Sequence, residues 1–305
     1  MNRLQPLWGL APALLGAALV TGWFPGDASA QARKNLFSHV MTSAEVESTF
    51  GKVKDAWDVY TKTNHSVTFR VNTSRVPTTN HMEADEFWFV RTGTAKVSLH
   101  TGNSPSTASV SGGDVVYVPR NVPYEIDPTS RFEYVAVRIF TPREPARGGG
   151  AGRAGGAPLP EPTSYFATKA QIDQTFASEP RSTQLRFPGA SINMIIYNGA
   201  IGPYESHEAV DQIYFVRHGT AKAAYDGRLI NPTVTTPGQI RGTGYIDASE
   251  YTIASGDIVW IPRNQLHFVD PGTGRIGYLL ISMPSSQSGF SPPPEAPGGR
   301  GRGAQ

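Results

Sequence analysis

Apolar residues in this chain come in short bursts. Glu86–Val90 (EFWFV), Ala95–His100 (AKVSLH), Val115–Pro119 (VVYVP) and Phe132–Phe140 (FEYVAVRIF) are followed by Gln212–Val216 (QIYFV), Ile258–Pro262 (IVWIP) and Tyr278–Met283 (YLLISM), with Gly, Pro and Asn punctuating the intervals. Short segments rich in β-branched and aromatic residues, with turn signals between them, predict an all-β sandwich or barrel. Several bursts are apolar at successive positions rather than alternate ones. Such a strand lines a barrel with one face and is covered on the other by a partner sheet or subunit. Two segments follow a different rule. Thr42–Phe50 and Thr168–Phe176 each open on Thr, with Glu45 or Gln171 three residues later, which predicts a short capped helix outside each domain.

The pattern is written twice. FVRTGTAK at Phe89–Lys96 returns as FVRHGTAK at Phe215–Lys222, and GDVVYVPRN at Gly113–Asn121 returns as GDIVWIPRN at Gly256–Asn264. Phe89 and Phe215 are 126 positions apart, as are Thr42 and Thr168, so one register runs unbroken from helix to first block. This predicts a duplicated domain, with copies over 36–141 and 163–285. Residues 142–162 (PREPARGGGAGRAGGAPLPEP) and 286–305 are Gly-, Pro- and Arg-rich, which predicts a flexible linker and a disordered tail. The second copy has the longer interval between blocks, 37 positions from Gly219 to Gly256 against 20 from Gly93 to Gly113. Its tip, Asn231–Tyr245, is placed to cover a barrel mouth.

Composition narrows the function. A formal charge of +2 over 305 residues lacks the basic stripe of a nucleic-acid binder. Residues 1–30 combine Arg3, an apolar run from Leu7 to Val20 and Ala28-Ser29-Ala30 before Gln31, which predicts a signal peptide and a periplasmic or secreted mature chain with no membrane segment after cleavage. The absence of cysteine excludes disulfides, thiolate metal sites and cysteine nucleophiles.

The repeated blocks resemble the cupin family, and the chain looks like a bicupin: two tandem jelly-roll β-barrels, each with a short N-terminal helix. In that family one motif has five residues between a Gly and His-x-His and three or four more before a Glu; a second has two residues between Pro-x-Gly and His. The three His and the Glu point inward at a divalent metal. In the second copy, Gly199 is followed at the family's spacing by Glu205, His207, Gln212 and Gly219, and Gly256 by Pro262, Asn264 and His267; Pro271 replaces the motif's last Asn. The resemblance implies a metal set of Glu205, His207, Gln212 and His267. Glu205 and His207 are two apart, hence on one face of a strand. Two imidazoles with a carboxylate suit Fe(II), and O/N ligands also suit Mn(II). In the first copy the same positions hold Thr79, His81, Glu86 and Tyr124, with only two good ligands. They predict a metal-free pocket or a structural partner. His39, His65, His100 and His218 lie outside the motifs and are predicted to be exposed.

No Ser-His-Asp signature, phosphate loop or dinucleotide fingerprint occurs. The reading that leads is an exported metal-dependent oxidoreductase or lyase, dioxygenase- or decarboxylase-like, acting on a small organic molecule in the second barrel. Two alternatives stay open: a non-catalytic small-molecule or sugar-binding cupin, and a metal-free isomerase. Small molecules are the expected partners, and homo-oligomer formation is left open.

Overall fold

A computed structural model describes residues 39–62, 64–140 and 163–285. The predicted signal peptide, linker and tail lie outside the described residues. Each copy folds as two facing antiparallel sheets. In the first copy the larger sheet runs, in spatial order, Val115–Val118, Asp85–Thr92, Phe132–Ile139, His65–Asn72 and Ala56–Thr61. Its smaller sheet is Val76–Thr79, Tyr124–Pro128, Thr94–Leu99 and Ser106–Ser111. The second copy repeats this plan around the long strand Val210–Tyr225, which passes from one sheet into the other.

The strands that are apolar on both faces have two cores to fill. Trp88, Val90, Tyr134 and Ala136 point into the first barrel, and Tyr214, Val216, Tyr278 and Leu280 into the second. Their sequence neighbours Phe87, Phe89, Val135, Val137, Ile213, Phe215, Leu279 and Ile281 form one continuous core between the barrels. The cover expected from a partner sheet is therefore the other copy. Phe89 and its counterpart Phe215 stack at the centre of this interface, with ring centroids 3.7 Å apart. Tyr117 and Trp260 also belong to this shared core rather than to a barrel interior.

Helices α1 (Ser43–Phe50) and α2 (Lys169–Ser178) both carry the predicted capping box, Thr42 with Glu45 and Thr168 with Gln171. Each packs on the outer face of its own copy, where Phe50 stacks on Phe69 with centroids 4.6 Å apart and Arg275 Nη2 donates to the Glu179 carbonyl at 2.6 Å, but its leading segment reaches across to the other copy. The strand before α1, His39–Met41, pairs with Ile258–Ile261 of the second barrel, and Phe166–Ala167 before α2 pairs with Val115–Val118 of the first. The first-turn amide of α1, Ser43 N, donates to Asp257 Oδ1 at 2.7 Å. Its counterpart Lys169 N donates to Asp114 Oδ1 at 2.6 Å. A carboxylate at a helix N-terminus is favourable for both orphan amides and dipole. Val46, Phe50, Ile172 and Phe176 then bury themselves in the shared core, each Phe contributing roughly 1.5–3 kcal/mol. Each barrel is completed by the other copy's leading segment.

His65 corrects the expectation that histidines outside the motifs are exposed. It is fully buried, with Nε2 3.1 Å from Tyr60 Oη and 3.2 Å from Asp211 Oδ2. Asp211, a second-copy residue at 0% exposure, also accepts from Tyr60 Oη at 2.6 Å and Lys62 Nζ at 2.5 Å. An apolar core would leave that carboxylate uncompensated, so three groups from the first copy surround it.

Candidate metal centre

The strand Tyr204–His207 carries two of the predicted ligands and is held on both sides. Glu205 lies opposite His267 of strand His267–Asp270. On the other side Glu205 lies opposite Arg241, and His207 opposite Gln239, of strand Gln239–Gly242. Residues directly opposed across a ladder share a face, so Glu205, His207, His267, Gln239 and Arg241 all look the same way. The turn after the second block fixes the strand's end, because Asn264 N donates to the His207 carbonyl at 2.6 Å. Asn264 takes φ 64° there, a left-handed conformation that Asn accepts more readily than most residues.

Glu205, His207 and His267 each offer a ligand atom, and these lie within 4.8 Å of one another. His267 Nε2 is 3.6 Å and His207 Nε2 3.9 Å from Glu205 Oε1. Both Nε2 atoms are buried with no hydrogen-bond partner. His267 Nδ1 approaches the Gln265 carbonyl at 3.3 Å. A carbonyl only accepts, so the proton belongs on Nδ1 and the Nε2 lone pair faces Glu205. Glu205 divides its labour in the same way: Oε2 accepts from Gln239 Nε2 at 2.8 Å and lies 3.4 Å from Arg241 Nε, which leaves Oε1 toward the imidazoles. Burial would raise the Glu205 carboxyl, but His267, His207 and the Gln239 amide outweigh it and hold it at about 2. Burial, joined by the neighbouring His267 imidazole and the Arg241 charge and opposed by Glu205, pushes the His207 imidazole down to about 4. At neutral pH the set is one carboxylate and a neutral His207. Two orphaned imidazole nitrogens converging on one carboxylate oxygen fit a divalent ion.

Gln212 is buried on the adjoining sheet, and its Oε1 accepts from Tyr214 Oη at 2.9 Å. The shared inward face of Gln212 and Tyr214 follows the strand parity, as does that of Glu86 and Trp88. Gln239 and Arg241 escaped the motif reading because they lie in the insertion, where the only signal was its length. That insertion does reach the site, as an added strand beside the ligand strand.

No protein-family model matches the chain, and no curated protein matches it. Solved structures do. The cupin 2 conserved barrel domain protein from Leptotrichia buccalis aligns over 77% of this chain and 92% of its own, at 12% identity and a TM-score of 0.51. A protein assigned as glyoxylate-induced from Pseudomonas aeruginosa aligns over 84% of this chain and 92% of its own, at 14% identity and a TM-score of 0.50. The fold is that of the cupins, used twice. A mutant of Bacillus subtilis oxalate decarboxylase also aligns, over 77% of this chain and 75% of its own, at 12% identity and a TM-score of 0.45. At such identities the likeness concerns the fold, and function rests on the site.

The first cupin barrel brings its own predicted residues together. Thr79 lies opposite Tyr124. His81 Nε2 is 2.6 Å from Tyr124 Oη and 3.1 Å from Glu86 Oε1. Glu86, only 1% exposed, accepts from Trp88 Nε1 at 2.7 Å and from Arg138 Nε at 2.5 Å. Arg138 Nη2 is a further 3.2 Å from His81 Nε2. Burial lowers the His81 pKa, Glu86 opposes this, and Arg138 and Arg70 add to it. Arg138 went unnoticed in the sequence, although a charged residue inside FEYVAVRIF was a visible signal.

Proposed function

We propose that the C-terminal barrel binds a catalytic divalent metal, iron or manganese, through Glu205, His207 and His267, and acts on a small organic anion in a dioxygenase- or decarboxylase-like reaction. The observation that carries this reading is the pair of buried, unpartnered Nε2 atoms facing Glu205 Oε1. A bound ion would polarise a coordinated carboxylate or enolate and hold it for reaction. Three protein ligands leave room for that substrate, and Gln212 stands by as a weak fourth donor.

The chain's own groups set the rest. Gln239 fixes the Glu205 carboxylate in one orientation, and the Gln265 carbonyl fixes the His267 tautomer. Such outer contacts govern affinity as well as geometry. Arg241 leaves its guanidinium 48% exposed beside Glu205, where it attracts an incoming anion. Tyr214 and Tyr278, stacked with centroids 4.5 Å apart, form an apolar floor. The Arg3, apolar run and Ala28-Ser29-Ala30 pattern supports export of the mature protein.

Metal analysis of the purified mature chain tests the proposal. About one ion per chain is expected; His207→Ala or His267→Ala removes most of it, since each leaves too few ligands, and His81→Ala changes little. Equal loss from His81→Ala and His207→Ala contradicts the assignment to the second barrel. Activity that survives both chelation and His207→Ala leaves a metal-free pocket as the better account.

A further inference from the structure

The first barrel holds an unbalanced charge. Strand His65–Asn72 turns Val67, Phe69 and Val71 into the shared core, so Ser66, Thr68, Arg70 and Asn72 face the barrel. Arg70 lies opposite Tyr134, whose ring belongs to the barrel interior. Arg138 is paired with Glu86, but Arg70 has no ion pair and no hydrogen bond among the described residues, and its Nε is buried without a partner. Asp58, across the strand pair from Thr68, accepts from Thr68 Oγ1 at 2.7 Å. Two guanidinium groups against one buried carboxylate leave an excess of one positive charge, because His81 is driven towards its neutral form. The side chains of His81 and Arg138 are 23% and 19% exposed, so solvent touches this network.

We infer that the N-terminal barrel is a metal-independent binding site for a small organic monocarboxylate, received by Arg70 beside the Arg138–Glu86–His81 network. A planar guanidinium offers a carboxylate two parallel hydrogen bonds, and burial strengthens them. Asn72 Nδ2 and Tyr134 Oη, 3.4 Å apart, stand on the same face as further polar contacts. Trp88 and Tyr124, with centroids 5.0 Å apart, provide an apolar wall for a short carbon chain. A single excess charge matches a monoanion. A phosphate dianion would overshoot it next to Glu86. Metal binding is not required, because Arg138 already supplies the cation that Glu86 faces.

The test is calorimetric titration of the full-length mature chain, stripped of metal by chelation, with sodium acetate and sodium benzoate as probes and sodium chloride and phosphate as controls. Wild type is expected to take up about one carboxylate per chain. Arg70→Gln weakens it at least about tenfold, and Arg70→Lys falls between because it keeps the charge without the fork. Glu86→Gln tightens binding by raising the excess charge, and His207→Ala leaves it unchanged. The apo melting temperature of Arg70→Gln stays level or rises, since an unpaired buried cation is removed. Absence of carboxylate binding by wild type, stronger binding of phosphate than of acetate, equal affinity in Arg70→Gln, or loss of binding in His207→Ala would each overturn the inference.

Discussion

Where the N-terminal barrel sets Arg138 opposite Glu86, the C-terminal barrel sets Ser282 opposite Gln212. The two positions are counterparts in one duplicated frame, and the exchange alters more than charge. In the first barrel the guanidinium reaches both Glu86 and His81, so the inward polar groups satisfy one another. In the second barrel that buried ion pair is absent, with Ser282 and Gln212 at its positions. A carboxylate reappears on the strand before it in sequence, Tyr204–His207, as Glu205, and the Nε2 atoms of His207 and His267 are left without hydrogen-bond partners. One barrel is internally neutralised apart from Arg70; the other presents a carboxylate and two unpaired imidazole nitrogens, a donor set that suits a divalent cation. A buried polar group without a partner is costly, and His207 and His267 present two such nitrogens from paired neighbouring strands.

The comparison is broken most completely by exchanging the two residues. Ser282→Arg should place a guanidinium near Glu205 and the imidazoles, and metal content should fall from about one ion per chain to none while the fold persists. Elemental analysis with circular dichroism checks both halves of that statement. The reciprocal change, Arg138→Ser with Tyr124→His, offers His81, Glu86 and a new imidazole, and should raise metal content to about two ions per chain. A double variant that folds yet stays at one would show that the first barrel differs by more than its ligands.

A smaller contrast concerns the carboxylates one residue earlier. Asp85 serves its own copy, accepting from Arg120 N at 3.0 Å and Nη2 at 3.1 Å. Asp211 accepts from Arg263 N at 2.8 Å but otherwise serves the other copy through Tyr60, Lys62 and His65. Asp211→Asn should cost roughly 3–5 kcal/mol, because it strands buried partners, whereas Asp85→Asn, whose Arg120 reaches solvent, should cost about 1 kcal/mol. Burial would raise the Asp211 carboxyl, but the His65 contact and the Lys62 charge hold it well below its ordinary 3.8. The folded chain therefore releases this proton more readily than the unfolded one. The stabilisation is complete above about pH 4 and fades as the pH falls further. Denaturant melts of wild type and Asp211→Asn should accordingly converge in acid.

Much of this was legible in the sequence. The duplicated blocks gave the tandem barrels, the capping boxes gave both helices, and strand parity put Glu205 with His207. Tertiary context supplied the rest. Nothing local in His39–Phe50 says that its leading strand will pair with Ile258–Ile261 and its first-turn amide with Asp257, while Phe50 stays on Phe69 of its own copy. His65 sits in a strand with no motif, and its burial depends on a carboxylate 146 positions away, at Asp211. Gln239 and Arg241 lie in an insertion without a counterpart in the first copy, so the repeat had nothing to compare them with.

The exchanged leading segments have a consequence for how the two copies diverged. Two barrels that each lend an arm to the other have the geometry of a two-fold homodimer with swapped arms. Written into a single polypeptide, that pairing no longer depends on protein concentration, because the tether keeps each arm close to its receiver. It also releases a genetic constraint. In a homodimer every substitution appears on both sides of the axis, so an arginine that neutralises one barrel would occupy the other as well. Fusion lets Arg138 and Ser282 change separately, and one barrel can keep a donor set for a cation while its twin neutralises its own groups.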